Sequence, residues 1–93
     1  TLRVGSGEAA ARIERVTMRA PAGGEHAVPR GVAIYLDAGE AGDRFRFWTQ
    51  GEMRPDGVFD TGRLAARNAR WLRIVIRSAW GEGTLALDRV EAR

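Results

Sequence analysis

An all-β fold, built as an antiparallel β-sandwich, is what this chain's sequence predicts, and three observations carry the expectation. Leu72, Ile74 and Ile76 alternate with Arg73, Val75 and Arg77, the period-two pattern of a strand with one buried face. Val32, Ile34 and Leu36 alternate in the same way with Ala33, Tyr35 and Asp37. Clusters of Gly, Pro and Asp punctuate the chain between such runs, as they do in sandwiches and small barrels.

Taken in order, residues 12–20 form the first strand. Val16 and Met18 share a face there, and Ile13 joins them only if a bulge shifts the register. Pro21-Ala22-Gly23-Gly24 ends that strand, and residues 31–37 form a cleanly half-buried one. After the turn at 38–43 comes a strand over 44–50, in which Phe45 and Phe47 alternate with Arg44, Arg46 and Trp48. The turn Pro55-Asp56-Gly57 leads into a short strand at 57–60 holding Val58 and Phe59. Residues 62–68 allow one helical turn and no more. In the last third, the run 71–77 and the run starting Thr84-Leu85-Ala86-Leu87 flank Trp80-Gly81-Glu82-Gly83. Two alternating runs joined by a few residues containing glycine predict a β-hairpin with a long or bulged loop.

With 93 residues the chain makes one domain, 1–93, and such a domain buries only about 60–65% of the surface its unfolded form exposes. That leaves little room for an internal active site. A start at Thr1 without methionine is expected of a piece of a longer polypeptide or a processed product. No apolar run approaches the roughly 18 residues that span a bilayer, so no membrane insertion is expected. All 15 basic residues are arginine, against 12 acids, for a net charge of +3. The arginines alternate with acids, as in Arg12-Ile13-Glu14-Arg15 and Asp88-Arg89-Val90-Glu91, rather than forming the concentrated stripe that phosphate backbones require. A nucleic-acid partner is therefore not expected. With no cysteine there is neither a disulfide framework nor a thiolate metal site.

The order of these pieces resembles the galactose-binding-like jelly roll, the family of discoidin (F5/8 type C) domains and many carbohydrate-binding modules. The residues that carry the likeness are Arg12-Ile13-Glu14-Arg15-Val16, then Val32-Ala33-Ile34-Tyr35-Leu36-Asp37 followed by the Gly-Asp loop at 38–43. Near the end come Ala69-Arg70-Trp71-Leu72-Arg73-Ile74 and the closing Leu87-Asp88-Arg89-Val90-Glu91. The resemblance covers roughly residues 11–93. It implies a jelly-roll sandwich serving as an accessory module of a larger bacterial protein, extracytoplasmic or secreted, often with a structural calcium.

If successive strands run antiparallel, every second connection lies at the same end of the domain. The segments 21–30, 51–56 and 79–83 then share one end, which gathers Glu25, His26, Arg54, Asp56, Trp80 and Glu82, with Trp48 and Gln50 close by. An aromatic platform with polar donors and acceptors suits sugar recognition. Each residue also has a plainer role: Trp48 as a half-buried sheet residue, Trp80 as a corner lid, His26 as an exposed loop side chain. At the other end, Asp37, Glu40 and Asp43 surround two glycines, and oxygen donors on such a loop suit Ca²⁺ or simply make a solvated acidic turn. Asp60-Thr61-Gly62 spells the aspartic-protease signature, but Gly62-Arg63-Leu64-Ala65-Ala66-Arg67 follows instead of a buried hydrophobic strand, so a tight turn is expected. No other catalytic constellation is present. The sequence thus points to a non-catalytic module binding a glycan through Trp80, Glu82, Arg54, His26, Asp56 and Trp48. The alternative is a domain docking a neighbouring domain or protomer through Trp71 and Trp48, and a dimeric protease is the remote third.

Overall fold

The computed structural model describes residues 2–3, 10–21, 25–39 and 44–93, and among them there is no helix, so none long and apolar enough to cross a membrane. The strands are β1 (Leu2–Arg3), β2 (Ala11–Ile13), β3 (Val16–Arg19), β4 (His26–Ala27), β5 (Gly31–Asp37) and β6 (Arg46–Glu52). They continue with β7 (Val58–Asp60), β8 (Arg67–Ala69), β9 (Trp71–Ile76), β10 (Thr84–Leu85) and β11 (Arg89–Ala92). A four-stranded sheet runs β1-β9-β5-β6 and a three-stranded sheet runs β11-β3-β7, both antiparallel throughout. β2 pairs antiparallel with β8, and β10 pairs parallel with β4. The result is all-β and sandwich-like, with one core shared by the two larger sheets.

β5 carries that core. Val32, Ile34 and Leu36 are buried on its inner face, each contributing about 1.5–3 kcal/mol by burial. Packed with them are Val16, Met18 and Phe59 from the three-stranded sheet and Ile13 from β2, while Leu72 of β9 lies beside Leu36 in the same sheet. The alternation in 31–37 follows the pleat, but the strand is not half-buried as expected: on its other face Ala33 is wholly buried and Asp37 is buried too.

The strand β6 departs from simple alternation. Ile34 pairs with Thr49 but Tyr35 pairs with Phe47, so Trp48 is the extra residue of a β-bulge. Period two alone does not say which set faces inward. The structure packs Trp48 against the core and leaves Phe47 48% exposed, its ring edge-on to Tyr35 at 5.7 Å.

Ile13 reaches the core by a break rather than a bulge. The backbone N–H groups of Glu14 and Arg15 both donate to the carbonyl of Arg93, interrupting the strand between β2 and β3. The two halves then pair with different partners, β8 and β7–β11.

Two local expectations are corrected. The hairpin of the last third does not form: β9 pairs with β5 along its length and with β1 at Trp71 and Leu72, and the run that follows finds other partners. Pairing with the β5 side continues past the strand end, through Arg77 N to Gly31 O and Arg30 N to Ser78 O, both 2.8 Å, and the Pro29–Ala79 bridge. The chain then leaves the sheet, so that β10 joins β4 and β11 joins β3. No helical turn occurs at 62–68 either. Thr61 N donates to Val16 O and Leu64 N to Glu14 O, holding the segment against the β2–β3 corner until β8 begins.

Gly57 has φ of +87°, in the left-handed region that favours glycine, and its carbonyl accepts the N–H of Ala20 at 2.8 Å. A Cβ on Gly57 would collide with the carbonyl oxygen of Ala20. Gly57→Ala is expected to cost about 1–3 kcal/mol, lowering Tm by roughly 4–8 °C for each kcal/mol in a domain of this size. Gly81→Ala, where a Cβ meets nothing within 4 Å, should change stability by no more than about 0.5 kcal/mol. Thermal melts of the two variants check the contrast, and equal melting points would contradict it.

Candidate functional site

Three connections meet where β5 begins. Met53 N donates to Arg30 O at 2.8 Å, Trp80 N to Val28 O at 2.9 Å, and Thr84 N to Glu25 O at 3.0 Å. The segments 25–30, 53–56 and 78–83 therefore share one pole, as the count of chain reversals predicts. Met53 is wholly buried beneath them.

Trp80 stands at the centre of this pole with its ring orientation set. The indole Nε1 donates to the carbonyl of Met53 at 2.7 Å, and the Arg30 guanidinium lies over the ring at 4.3 Å from its centroid. Such a hydrogen bond contributes about 0.5–1.5 kcal/mol and an exposed cation–π contact about 0.5–1. With the residue still 41% exposed, the indole is neither sequestered nor free to swing.

Around it, β10 sets Thr84 beside His26 and Leu85 beside Ala27. Glu25, His26 and Glu82 are exposed, and so is Leu85. Arg54 and Asp56 reach the same pole but are engaged with each other, through Nε–Oδ1 at 3.2 Å and Nη2–Oδ2 at 2.9 Å. Asp56 Oδ1 also accepts the N–H of Val58 at 3.2 Å, so this pair shapes its own turn. Trp48 sits along β6, half-buried on the core rather than at the pole, while Gln50 is exposed and pairs with Ala33.

Arg30 is the pole residue that sequence reasoning missed. Its guanidinium covers Trp80 and its Nε lies 3.5 Å from Glu52 Oε1. Nothing local marks it, since the two residues are fifty positions apart and meet only through the pairing of β5 with β9.

At the other end of β5, Asp37 is buried at 4% exposure, and its carboxylate organises the backbone. Oδ1 accepts from Gly39 N and Oδ2 from Arg44 N, both at 2.7 Å. Glu40 and Asp43, the other residues of the expected calcium set, lie outside the described residues. Among the described residues, no three carboxylate or imidazole side chains cluster as a metal site would require.

The Asp60-Thr61-Gly62 turn holds an ion pair. Arg15 donates to both carboxylate oxygens of Asp60, from Nε at 2.8 Å and from Nη2, and Gly62 N donates to Oδ1 at 2.8 Å. Thr61 Oγ1 accepts from Val16 N and donates to Gly62 O. The Arg15 hydrogen bonds, with the Gly62 amide, hold the Asp60 carboxyl down at about 2. Trp71 is half-buried, in register with Asp37 on β5.

No protein-family model, curated protein or solved structure matches this chain.

The Asp60 pair makes acid sensitivity predictable. Its folded pKa lies near 2, below its ordinary 3.8, so its stabilising effect is full above about pH 4 and is lost as pH falls through 2. Glu91, held below its ordinary value by Arg93 and Arg89, adds a loss of the same sign. Denaturant melts from pH 5 to pH 2 should show stability falling, with a shallower fall in Asp60→Asn. An unchanged slope in that variant would contradict the assignment.

Proposed function

We propose that this chain is a non-catalytic accessory module, a β-sandwich of jelly-roll type, that binds carbohydrate through the pole around Trp80. The observation that carries the reading is the state of the indole: pinned at its N–H by Met53 O, stacked by Arg30, yet 41% exposed at a meeting of three loops. A ring held in one orientation offers a surface for the C–H face of a sugar with little ordering cost on binding. Exposed His26, Glu25 and Glu82 nearby supply donors and acceptors for hydroxyl groups. With a ring exposed among shallow loops, the affinity belongs in the micromolar to millimolar range, about −8 to −4 kcal/mol.

Docking of a neighbouring domain or protomer is the second reading, and one feature favours it. The outer face of the four-stranded sheet carries Tyr35 and Phe47 edge to face, Arg73 at 4.0 Å over Phe45, and Arg77 donating to the Tyr35 hydroxyl at 2.8 Å. Phe47 is its exposed apolar residue, and Trp48 takes no part because it faces the core.

Glycan-array binding tests the first reading. Trp80→Ala should lose at least tenfold in affinity, about 1.4 kcal/mol, while the lost indole hydrogen bond costs only about 0.5–1.5 kcal/mol of stability. Trp80→Phe, which keeps a ring without the N–H, should fall between. Binding that survives Trp80→Ala, or no binding across broad plant, bacterial and animal glycans, would overturn it. For the docking reading, sedimentation should show self-association or capture of a parent fragment that Phe47→Ser abolishes.

A further inference from the structure

We propose that the pole opposite Trp80 is an oxyanion site, which takes a phosphate or sulfate group among the side chains of Arg44, Arg46 and Arg67. The three line one open cavity of about 400 Å³, together with Leu36, Asp37, Ala38, Gly39 and Asn68. That is the size of a small-molecule site.

Long-range structure brings the three arginines together. Arg44 is tied to the end of β5 by its own N–H on Asp37 Oδ2 at 2.7 Å, and Arg46 pairs with Leu36 across the β5–β6 ladder. Arg67 comes from β8, whose following residue Arg70 donates its N–H to Asp37 O at 2.8 Å. Asp37 thus anchors the segments that carry Arg44 and Arg67, and its carboxylate accepts the backbone amides of Gly39 and Arg44.

Charge then decides the ligand. Many arginines elsewhere in the described residues pair with acids: Arg12 and Arg63 with Glu14, Arg15 with Asp60, Arg30 with Glu52, Arg54 with Asp56, Arg89 and Arg93 with Glu91, while Arg77 bonds the Tyr35 hydroxyl. Among the described residues, Arg44, Arg46 and Arg67 form no ion pair, and all three are exposed. Three arginines and one acid, Asp37, line this cavity, an excess of positive charge that an anion held there relieves. The planar fork of guanidinium donors matches two oxygens of a tetrahedral oxyanion, and Asn68 adds a neutral donor. A calcium ion in the same place would face the three positive charges.

Thermal-shift titration with inorganic phosphate and with inorganic sulfate, against sodium chloride at matched ionic strength, tests this. The oxyanions should raise Tm by several degrees beyond chloride, which only screens the repulsion. Arg46→Gln and Arg67→Gln should each weaken binding tenfold or more, while Arg63→Gln, at another surface, leaves it unchanged. Glycerol phosphate binding more tightly than the free ion assigns an ester ligand, and equal binding assigns the free anion. Equal shifts in chloride, insensitivity to both arginine variants, or stabilisation by calcium chloride alone would each overturn the proposal. Trp80→Ala should leave the oxyanion response intact, so failure here and failure of glycan binding are read separately.

Discussion

The two-sided pairing of β5 is the constraint on which the rest of the molecule depends. β5 is hydrogen-bonded to β6 on one edge and β9 on the other, and its inner face of Val32, Ile34 and Leu36 is the middle of the core. Remove it and the four-stranded sheet loses its centre, while Val16, Met18 and Phe59 of the other sheet lose the surface they pack against. Its length also separates the two candidate sites. A strand of this length spans about 20 Å from Gly31 to Asp37, so the Trp80 pole and the arginine pole cannot share a ligand of ordinary monosaccharide size.

Each pole is organised by one polar group that serves the backbone. At the Gly31 end it is the carbonyl of Met53, which receives the Trp80 indole and so locks the loops of 53–56 and 78–83 together. At the Asp37 end it is a buried carboxylate receiving two amides of the turn that follows. Such bonds outweigh the surface ion pairs in effect. Arg54–Asp56 or Arg12–Glu14, exposed as they are, contribute from nothing to about 1 kcal/mol each, whereas an unpaired buried carboxylate would be far more costly. The ordering of the loops is thus completed during folding, and a ligand at either pole meets side chains already held in place.

Much of the fold was legible residue by residue. The strand at 31–37, the short strand carrying Phe59, and the Pro55-Asp56-Gly57 turn appear where alternation and turn chemistry put them. The convergence of three connections near Trp80 is the one that counting chain reversals predicts, and β6 and β9 do both run antiparallel to β5. The hairpin of the last third was not legible, because local spacing describes which runs can be strands and not which edges remain free. The same holds for 62–68, where a helix-tolerant composition yields to hydrogen bonds from the Thr61 and Leu64 amides to the carbonyls of Val16 and Glu14.

The sequence by itself determined that this is a β protein with an inner face of aliphatic residues, glycine-bearing turns and a corner tryptophan. These follow from short-range physics: the pleat, the left-handed backbone of Gly57, the burial of alternate side chains. Only the tertiary structure decided which neighbour each edge takes, which way the Trp48 bulge turns its ring, and which distant charges meet. Arg30 stacking on Trp80, and Arg67 arriving beside Arg44, are products of pairing between segments far apart in the chain. Their encounter depends on competition among all strand edges at once, a quantity no local window of residues contains.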